Sequence, residues 1–240
     1  MPRRSKLYRE QFAKSGDRDK RYSVSEGVAL LKTVGAVKVE NKKGARPRKA
    51  FDQTVELVMH LGIDARQADQ MIRGSVSLPK GIGATKKVIA FCPDELAAQA
   101  KAAGAIEAGA DELVKKVTDG WSDFDVAIAH PAVMGKVGKL GRILGPQGKM
   151  PSPKSGTVTP DLAKAVTEYA AGKLEYRNDA GGNIHAVVGR LSFGVEDLQA
   201  NIEAFIDHIR RLKPATSKGQ YIKKVCIAAT MTPSVMLDVS

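Results

Sequence analysis

A mixed α/β chain in two domains, one inserted into the other, is predicted by three features of this 240-residue sequence. Apolar residues alternate near residue 54, form short continuous runs from residue 87, and take helical spacing after residue 159. The continuous runs lie between helical stretches, the texture of a parallel sheet covered on both faces. Both chain ends instead combine a half-buried strand with an amphipathic helix, the texture of antiparallel strands backed by helices. The layout read from these features is a basic tail (1–21), an α+β domain I from both chain ends (22–73 and 155–240), and an inserted parallel α/β domain II (74–154). A chain of this length can bury a core in each.

The elements follow in order. Ser23-Val24-Ser25-Glu26 is a capping box that opens a helix with Val28, Leu31 and Val34 on one side. Val55, Leu57, Met59 and Leu61 alternate with Thr54, Glu56 and His60, which is a half-buried strand. Val88-Ile89-Ala90-Phe91 and Val126-Ala127-Ile128-Ala129 read as buried parallel strands, with helices at 95–103, at 111–118 and after Pro131. Glycines and prolines make 145–154 a loop. Thr159-Pro160-Asp161 opens a helix closed by Gly172, with Leu162, Val166 and Tyr169 on one face. Gly181-Gly182-Asn183 is a hairpin turn into a strand at 186–191. Leu198, Ile202, Phe205, Ile206, Ile209 and Leu212 form an amphipathic helix halted by Pro214, and a final strand runs from about 221 to 229.

Charge narrows the function. The net charge is +12, and residues 1–21 carry eight Lys/Arg against three acids, while residues 38–49 carry six against one. Most of the excess thus sits in two short segments, rich in Arg, Lys, Gly and Pro, that are expected to lie loose on the surface. Domain II has eleven basic and eight acidic residues, so domain I carries most of the charge. A basic protein gains affinity for polyanions through counterion release, and recognition beyond the loose segments must use shape and hydrogen bonds; together these favour a structured RNA. No apolar run approaches the roughly 20 residues of a membrane span, and no apolar segment follows Arg3, Arg4 and Lys6, so neither a membrane partner nor a secretory leader is expected. Cys92 and Cys226 have no paired spacing, which leaves a disulfide or zinc site unsupported and points to a reducing cytoplasm.

Catalytic motifs fail when tested. Gly81-Ile82-Gly83 precedes its strand and lacks a third glycine at dinucleotide spacing. Gly148-Lys149 ends like a phosphate loop, but Ile143 replaces the first glycine and Met150 the magnesium-binding hydroxyl. His60, His130, His185 and His208 are scattered, and His208 falls on the polar side of its helix, where it reads as solvated. Between Gly141 and Gly156 two readings stay open: a plain interdomain loop, or a constrained loop whose Arg142, Lys149 and Lys154 meet phosphates. No cofactor and no enzyme activity are expected; the alternative is an enzyme using the inserted domain on a nucleotide or phosphorylated metabolite. Arg73-Gly74 and Ser155-Gly156, at the two domain crossings, each offer a glycine and are hinge candidates.

The chain also resembles a known family. Phe51-Asp52-Gln53-Thr54-Val55-Glu56-Leu57, Gly138-Lys139-Leu140-Gly141-Arg142-Ile143-Leu144-Gly145-Pro146, Met150-Pro151-Ser152-Pro153-Lys154-Ser155-Gly156-Thr157-Val158, Tyr176-Arg177-Asn178-Asp179, Lys218-Gly219-Gln220-Tyr221 and Thr230-Met231 carry the resemblance, collinear over about residues 22–240. These stretches are similar to those of the L-one family of large-subunit ribosomal proteins. The resemblance implies a split-β-α-β-like domain I with a Rossmann-like domain II inserted. It also implies binding to the large-subunit rRNA of the mobile side stalk near the tRNA exit site, help in releasing deacylated tRNA, and repression of its own operon mRNA. The family's RNA contacts, carried over by position, fall on Phe51, Thr54, Glu56, Asp179, Thr230 and Met231, and Lys224 and Thr232 complete the expected RNA-binding set. Without the resemblance, Met231 reads as a core gap-filler. Ala50 stands where the family usually has a basic residue, the 35–49 loop is long, and Thr232 stands where the family has glycine.

Overall fold

The capping box at Ser23 forms as its residues dictate: Ser23 Oγ accepts from the Glu26 N–H at 3.4 Å, and Glu26 Oε2 accepts from the Ser23 N–H at 3.3 Å. It opens the second helix of the chain, seen here in a computed structural model that describes residues 5–17, 19–37, 51–67 and 69–239. In chain order the elements are α1 (Lys6–Lys14), β1 (Arg21–Tyr22), α2 (Val24–Gly35), β2 (Thr54–Leu61), β3 (Arg73–Val76), β4 (Val88–Phe91), α3 (Asp94–Ala102), β5 (Glu107–Gly109), α4 (Asp111–Thr118), β6 (Val126–Ala129), α5 (Met134–Val137), α6 (Gly141–Leu144), α7 (Leu162–Ala170), β7 (Leu174–Arg177), β8 (Asn183–Arg190), α8 (Val195–Arg211), β9 (Ile222–Ala229) and β10 (Val235–Leu237). They form a mixed α/β protein with two compact units. The first holds the chain up to Ile72, Leu78–Ile82, and the chain from Tyr176 on; the second holds Arg73–Ser77 and Gly83–Glu175.

In the first unit β2 lies inside a five-stranded sheet of order β1-β10-β9-β2-β8, antiparallel to both β8 and β9. Its alternation is kept: Val55, Leu57, Met59 and Leu61 are buried, while Thr54, Glu56, Val58 and His60 point the other way and are exposed or half-buried. On the sheet's apolar side α2, with Val28, Leu31 and Val34 buried, packs on β9 and β10, and α8, with Leu198, Ile202, Phe205, Ile206 and Ile209 buried, packs on β8 and α2. Each such side chain contributes about 1.5–3 kcal/mol by leaving water. A Cβ on Gly27 would stand 2.4 Å from Leu237 Cδ2, so glycine lets α2 close onto β10. Buried Asn201 of α8 gives its Nδ2 to the carbonyls of Val188 (2.8 Å) and Gly81 (2.9 Å) and accepts from the Lys80 N–H at 3.0 Å. That side chain ties Leu78–Ile82 to the first unit, which the sequence pattern did not reveal.

In the second unit β4 is the middle strand of a parallel sheet of order β5-β4-β6, buried at all four positions as its unbroken apolar run requires. Ile89 and Phe91 pack with Leu113, Val117, Val137, Leu140 and Leu144 on one side. Val88 and Ala90 pack on the other with Ala100 and with Leu162, Ala165, Val166 and Tyr169 of α7. This corrects the domain boundary read from the sequence, which gave α7 to the outer domain. The apolar face of α7 is spent on β4, and the segment before it extends the sheet through a parallel bridge from Val158 to Ala129. The chain re-enters the first unit between Glu175 and Tyr176, not near residue 155. Ser155 and Gly156 therefore lie inside the second unit, where Ser155 is buried and Gly156 takes a positive φ of 72°. Arg73 and Gly74, at the first crossing, belong to β3, which pairs with β7.

One further expectation changes. Part of the basic tail is not loose: Ser5 caps α1 by accepting from the Tyr8 N–H at 3.2 Å, and Gln11 is buried where α1 meets α2. The basic segment 38–49 and Ala50 lie outside the described residues.

The place of α7 is testable. The Tyr169 hydroxyl donates to the Ser155 carbonyl at 2.7 Å, and burial pushes its pKa up to about 12, so it remains a donor. Tyr169→Phe leaves that carbonyl without its partner and is expected to cost about 1–3 kcal/mol. Native-state hydrogen exchange should show lost protection in β4 and β6 with β2 and β9 unchanged; equal loss in β2 and β9 contradicts the assignment of α7.

Candidate RNA interface

The outward face of the five-stranded sheet gathers most of the residues expected to touch RNA. At one end, β2 begins beside the end of β9. The Thr54 N–H donates to Thr230 Oγ1 at 3.2 Å, and the Thr230 N–H donates to the Thr54 carbonyl at 3.1 Å. The Met231 N–H donates to Gln53 Oε1 at 3.1 Å. On the other flank Arg190 Nη1 donates to Thr54 Oγ1 and to the Asp52 carbonyl, while Ser192 Oγ donates to Asp52 Oδ2 at 2.7 Å. Residues 52–54 are thus stapled between two neighbours. This rigid end displays Phe51, 59% exposed, and Met231, 49% exposed. Met231 is therefore not the core gap-filler that its residue type suggests.

Thr232 has another duty. Its hydroxyl accepts from the Ala229 N–H at 2.9 Å, and its own N–H donates to the Ala229 carbonyl at 3.0 Å, closing the turn after β9. Among the described residues only glycines take a positive φ, so threonine sits here in ordinary backbone.

Glu56 lies at mid-face, exposed, in register with Val187 on β8 and Ala228 on β9. Toward the far end His60 is in register with Asn183 and Lys224. The β2–β9 register slips between His60 and Leu61, which makes Lys223 an extra residue and leaves both Lys223 and Lys224 exposed. Asp179 belongs to the turn before β8. Its Oδ1 accepts from the backbone N–H groups of Gly181 (2.9 Å) and Asn183 (2.7 Å), and its Oδ2 from Asn183 Nδ2 (3.0 Å). The Asn183 side chain, then these backbone donors, hold the Asp179 carboxyl below the usual carboxylate range. From Thr54 to His60 the face runs about 20 Å at strand rise. Across it lie hydroxyls, a carboxylate, an amide, imidazoles and lysines: a surface of mixed donors and acceptors suited to ribose and base edges as much as to phosphate. The sequence reading missed His60, Asn183, Arg190 and Lys223, although the alternation in β2 already put His60 on the face of Thr54 and Glu56.

Of the three loop cations that could meet phosphate in the second unit, Arg142 and Lys154 are exposed and Lys149 is engaged within the chain. Lys149 Nζ donates to the carbonyls of Ser122 (3.0 Å) and Phe124 (2.5 Å) and sits 4.9 Å from the Phe124 ring centre. Lys86 donates to the Lys173 carbonyl at 3.0 Å; burial lowers its pKa and raises that of Glu175. Both lysines border one cleft with Asp125, Thr157 and Glu175, and each ammonium there already donates to a carbonyl of the chain. His208, expected to be solvated, instead bonds Tyr176 Oη at 2.7 Å through Nε2, and burial lowers its pKa. Among the described residues no group of three His, Cys, Asp or Glu could hold a metal ion.

Comparison with known proteins completes this picture. Residues 40–233 match the model of the Ribosomal protein L1p/L10e family. Three similar curated proteins all carry the name large ribosomal subunit protein uL1. That of a Nocardioides species is 47% identical over 98% of this chain and 92% of its own length. That of Thermobifida fusca is 47% identical over 98% and 95%. That of Beutenbergia cavernae is 48% identical over 100% and 95%. A family match over most of the chain and near-half identity over full-length relatives lead to one conclusion: the chain belongs to the Ribosomal protein L1p/L10e family.

Proposed function

We propose that this protein is a structural, non-catalytic component of the large ribosomal subunit in the cytoplasm, and that it grips the rRNA of the mobile side stalk with the outward face of its five-stranded sheet. The observation that carries the reading is the convergence of Phe51, Thr54, Glu56, Lys224, Thr230 and Met231 on one face, or its rim, that the described residues leave open, in a chain whose relatives are named large-subunit proteins. The finer parts of the proposal follow from the family reading: the stalk stands near the tRNA exit site, the protein aids release of deacylated tRNA, and it represses its own operon mRNA by binding a similar structure. The first unit corresponds in this reading to a split-β-α-β-like domain I and the second to a Rossmann-like domain II. The hinge role falls to the crossings at Arg73-Gly74 and at Glu175-Tyr176.

Affinity for a transcript of the large-subunit stalk RNA should fall as salt rises, because lysine–phosphate contacts release counterions. An unrelated hairpin of equal length should bind more weakly near physiological salt. Equal affinity for both RNAs in a filter-binding titration overturns the specific reading.

Met231→Asp places a charge on the exposed rim and is expected to weaken binding by more than tenfold, beyond about 1.4 kcal/mol. Thr232→Gly removes the hydroxyl that closes the turn; it should cost about 1 kcal/mol of stability and less than tenfold in affinity. Titration of both variants, with folding checked by circular dichroism, reads the contrast. A folded Met231→Asp that binds like the parent shows that residues 230–232 do not face RNA.

A further inference from the structure

Asp179, Asn183 and His60 form a chain of hydrogen bonds across the outward sheet face. An ionised carboxylate only accepts, so the Asn183 amide must turn its NH2 toward Asp179 Oδ2, 3.0 Å away. Its carbonyl oxygen then faces His60, with Oδ1 lying 2.8 Å from Nδ1. A carbonyl oxygen cannot donate, so the hydrogen of this bond sits on His60 Nδ1. In a neutral imidazole one nitrogen donates and the other accepts, which leaves Nε2 bare. Among the described residues nothing bonds to it. His60 is on the outward set of β2, in register with Lys224.

We propose that His60 Nε2 is a specificity-determining RNA contact: in the Nδ1–H tautomer that Asn183 and Asp179 favour as positioning residues, it accepts a hydroxyl or amino hydrogen of the RNA. This rests on the RNA reading given above. The chemistry is selective because of what lies beside it. Lys223 and Lys224 draw phosphate, but a phosphate has no hydrogen to give Nε2. A ribose 2′-hydroxyl or an exocyclic base amino group does, and the hydroxyl is what separates RNA from DNA. Asp179, with both oxygens engaged by Gly181 and Asn183, then acts on RNA through His60. The Asp179 position is thus explained as one that orients a contact.

The test uses the full chain with 15N-labelled histidine. Long-range 1H–15N spectra of the free protein should show the Nδ1–H tautomer at His60, and the Nε2 resonance should move when a transcript of the large-subunit stalk RNA is added. His60→Phe should weaken binding of that transcript about tenfold, while His60→Gln, whose amide oxygen can stand where Nε2 stood, should stay within about threefold of the parent. Repeating the titration with a 2′-deoxy copy of the transcript separates the two donors. A His60→Phe effect that vanishes there assigns the hydroxyl, and one that persists assigns a base amino group. An Nε2–H tautomer in the free protein overturns the proposal, as does an Nε2 resonance unmoved by bound RNA. So does a folded His60→Phe with parental affinity. If His60→Phe fails to fold, the two parental spectra decide. If the parent does not bind the transcript at all, the RNA reading fails and this contact with it, while the tautomer in the free protein still reports separately on the Asp179–Asn183–His60 chain.

Discussion

The pairing of β2 with β8 on one edge and β9 on the other is the constraint on which the rest of the structure depends. Side chains along a strand alternate with a period of two, so burying Val55, Leu57, Met59 and Leu61 in the core leaves Thr54, Glu56, Val58 and His60 no choice of direction. The core and the proposed RNA face are two sides of one register. A slip by one residue would bury the carboxylate of Glu56 and expose four apolar side chains at once. Register is guarded at both ends of the strand: by the Thr54–Thr230 backbone pair where β2 starts, and by the Leu61 N–H donating to the Gly182 carbonyl where it stops.

Much of this was legible in the sequence because it follows from periodicity. The strand at Thr54–Leu61, the buried run Val88–Phe91, the helix at Asp111–Thr118 and the apolar face of α8 all appear where their spacing puts them. The failures have a common cause, which is that spacing says which face is apolar and not what will cover it. α7 shows Leu162, Val166 and Tyr169 on one side in either domain, and only the three-dimensional path reveals that β4 takes them. β5, three half-buried residues with two small side chains, lacks any pattern that marks a strand. Buried Asn201 looks like a polar interruption of an amphipathic helix until its three backbone partners are seen.

The interface was legible in a different way. Phe51, Thr54, Glu56, Thr230 and Met231 came from a resemblance, and no charge count or motif would have singled them out. The structure gives them a physical logic, because each lies on the outward sheet face or its rim, which the described residues leave open. It also shows that some carried-over positions serve the protein first. Thr232 closes a turn, and Asp179 organises the β7–β8 connection with three accepted hydrogen bonds. A position matched to a family's binding site can serve binding through the neighbour it holds. Charge is placed differently from the sequence expectation: one of the two most basic segments is partly helical and packed on α2.

The account's central claim is that RNA lies on the outward face of the five-stranded sheet. Ultraviolet cross-linking of the full chain to a transcript of the large-subunit stalk RNA, with the attached residues located by mass spectrometry, tests it most directly. The account predicts cross-links at Phe51, at Met231 and at His60 or its neighbours Lys223 and Lys224. Cross-links confined to the second unit, or to the surfaces of α2 and α8 behind the sheet, would contradict it.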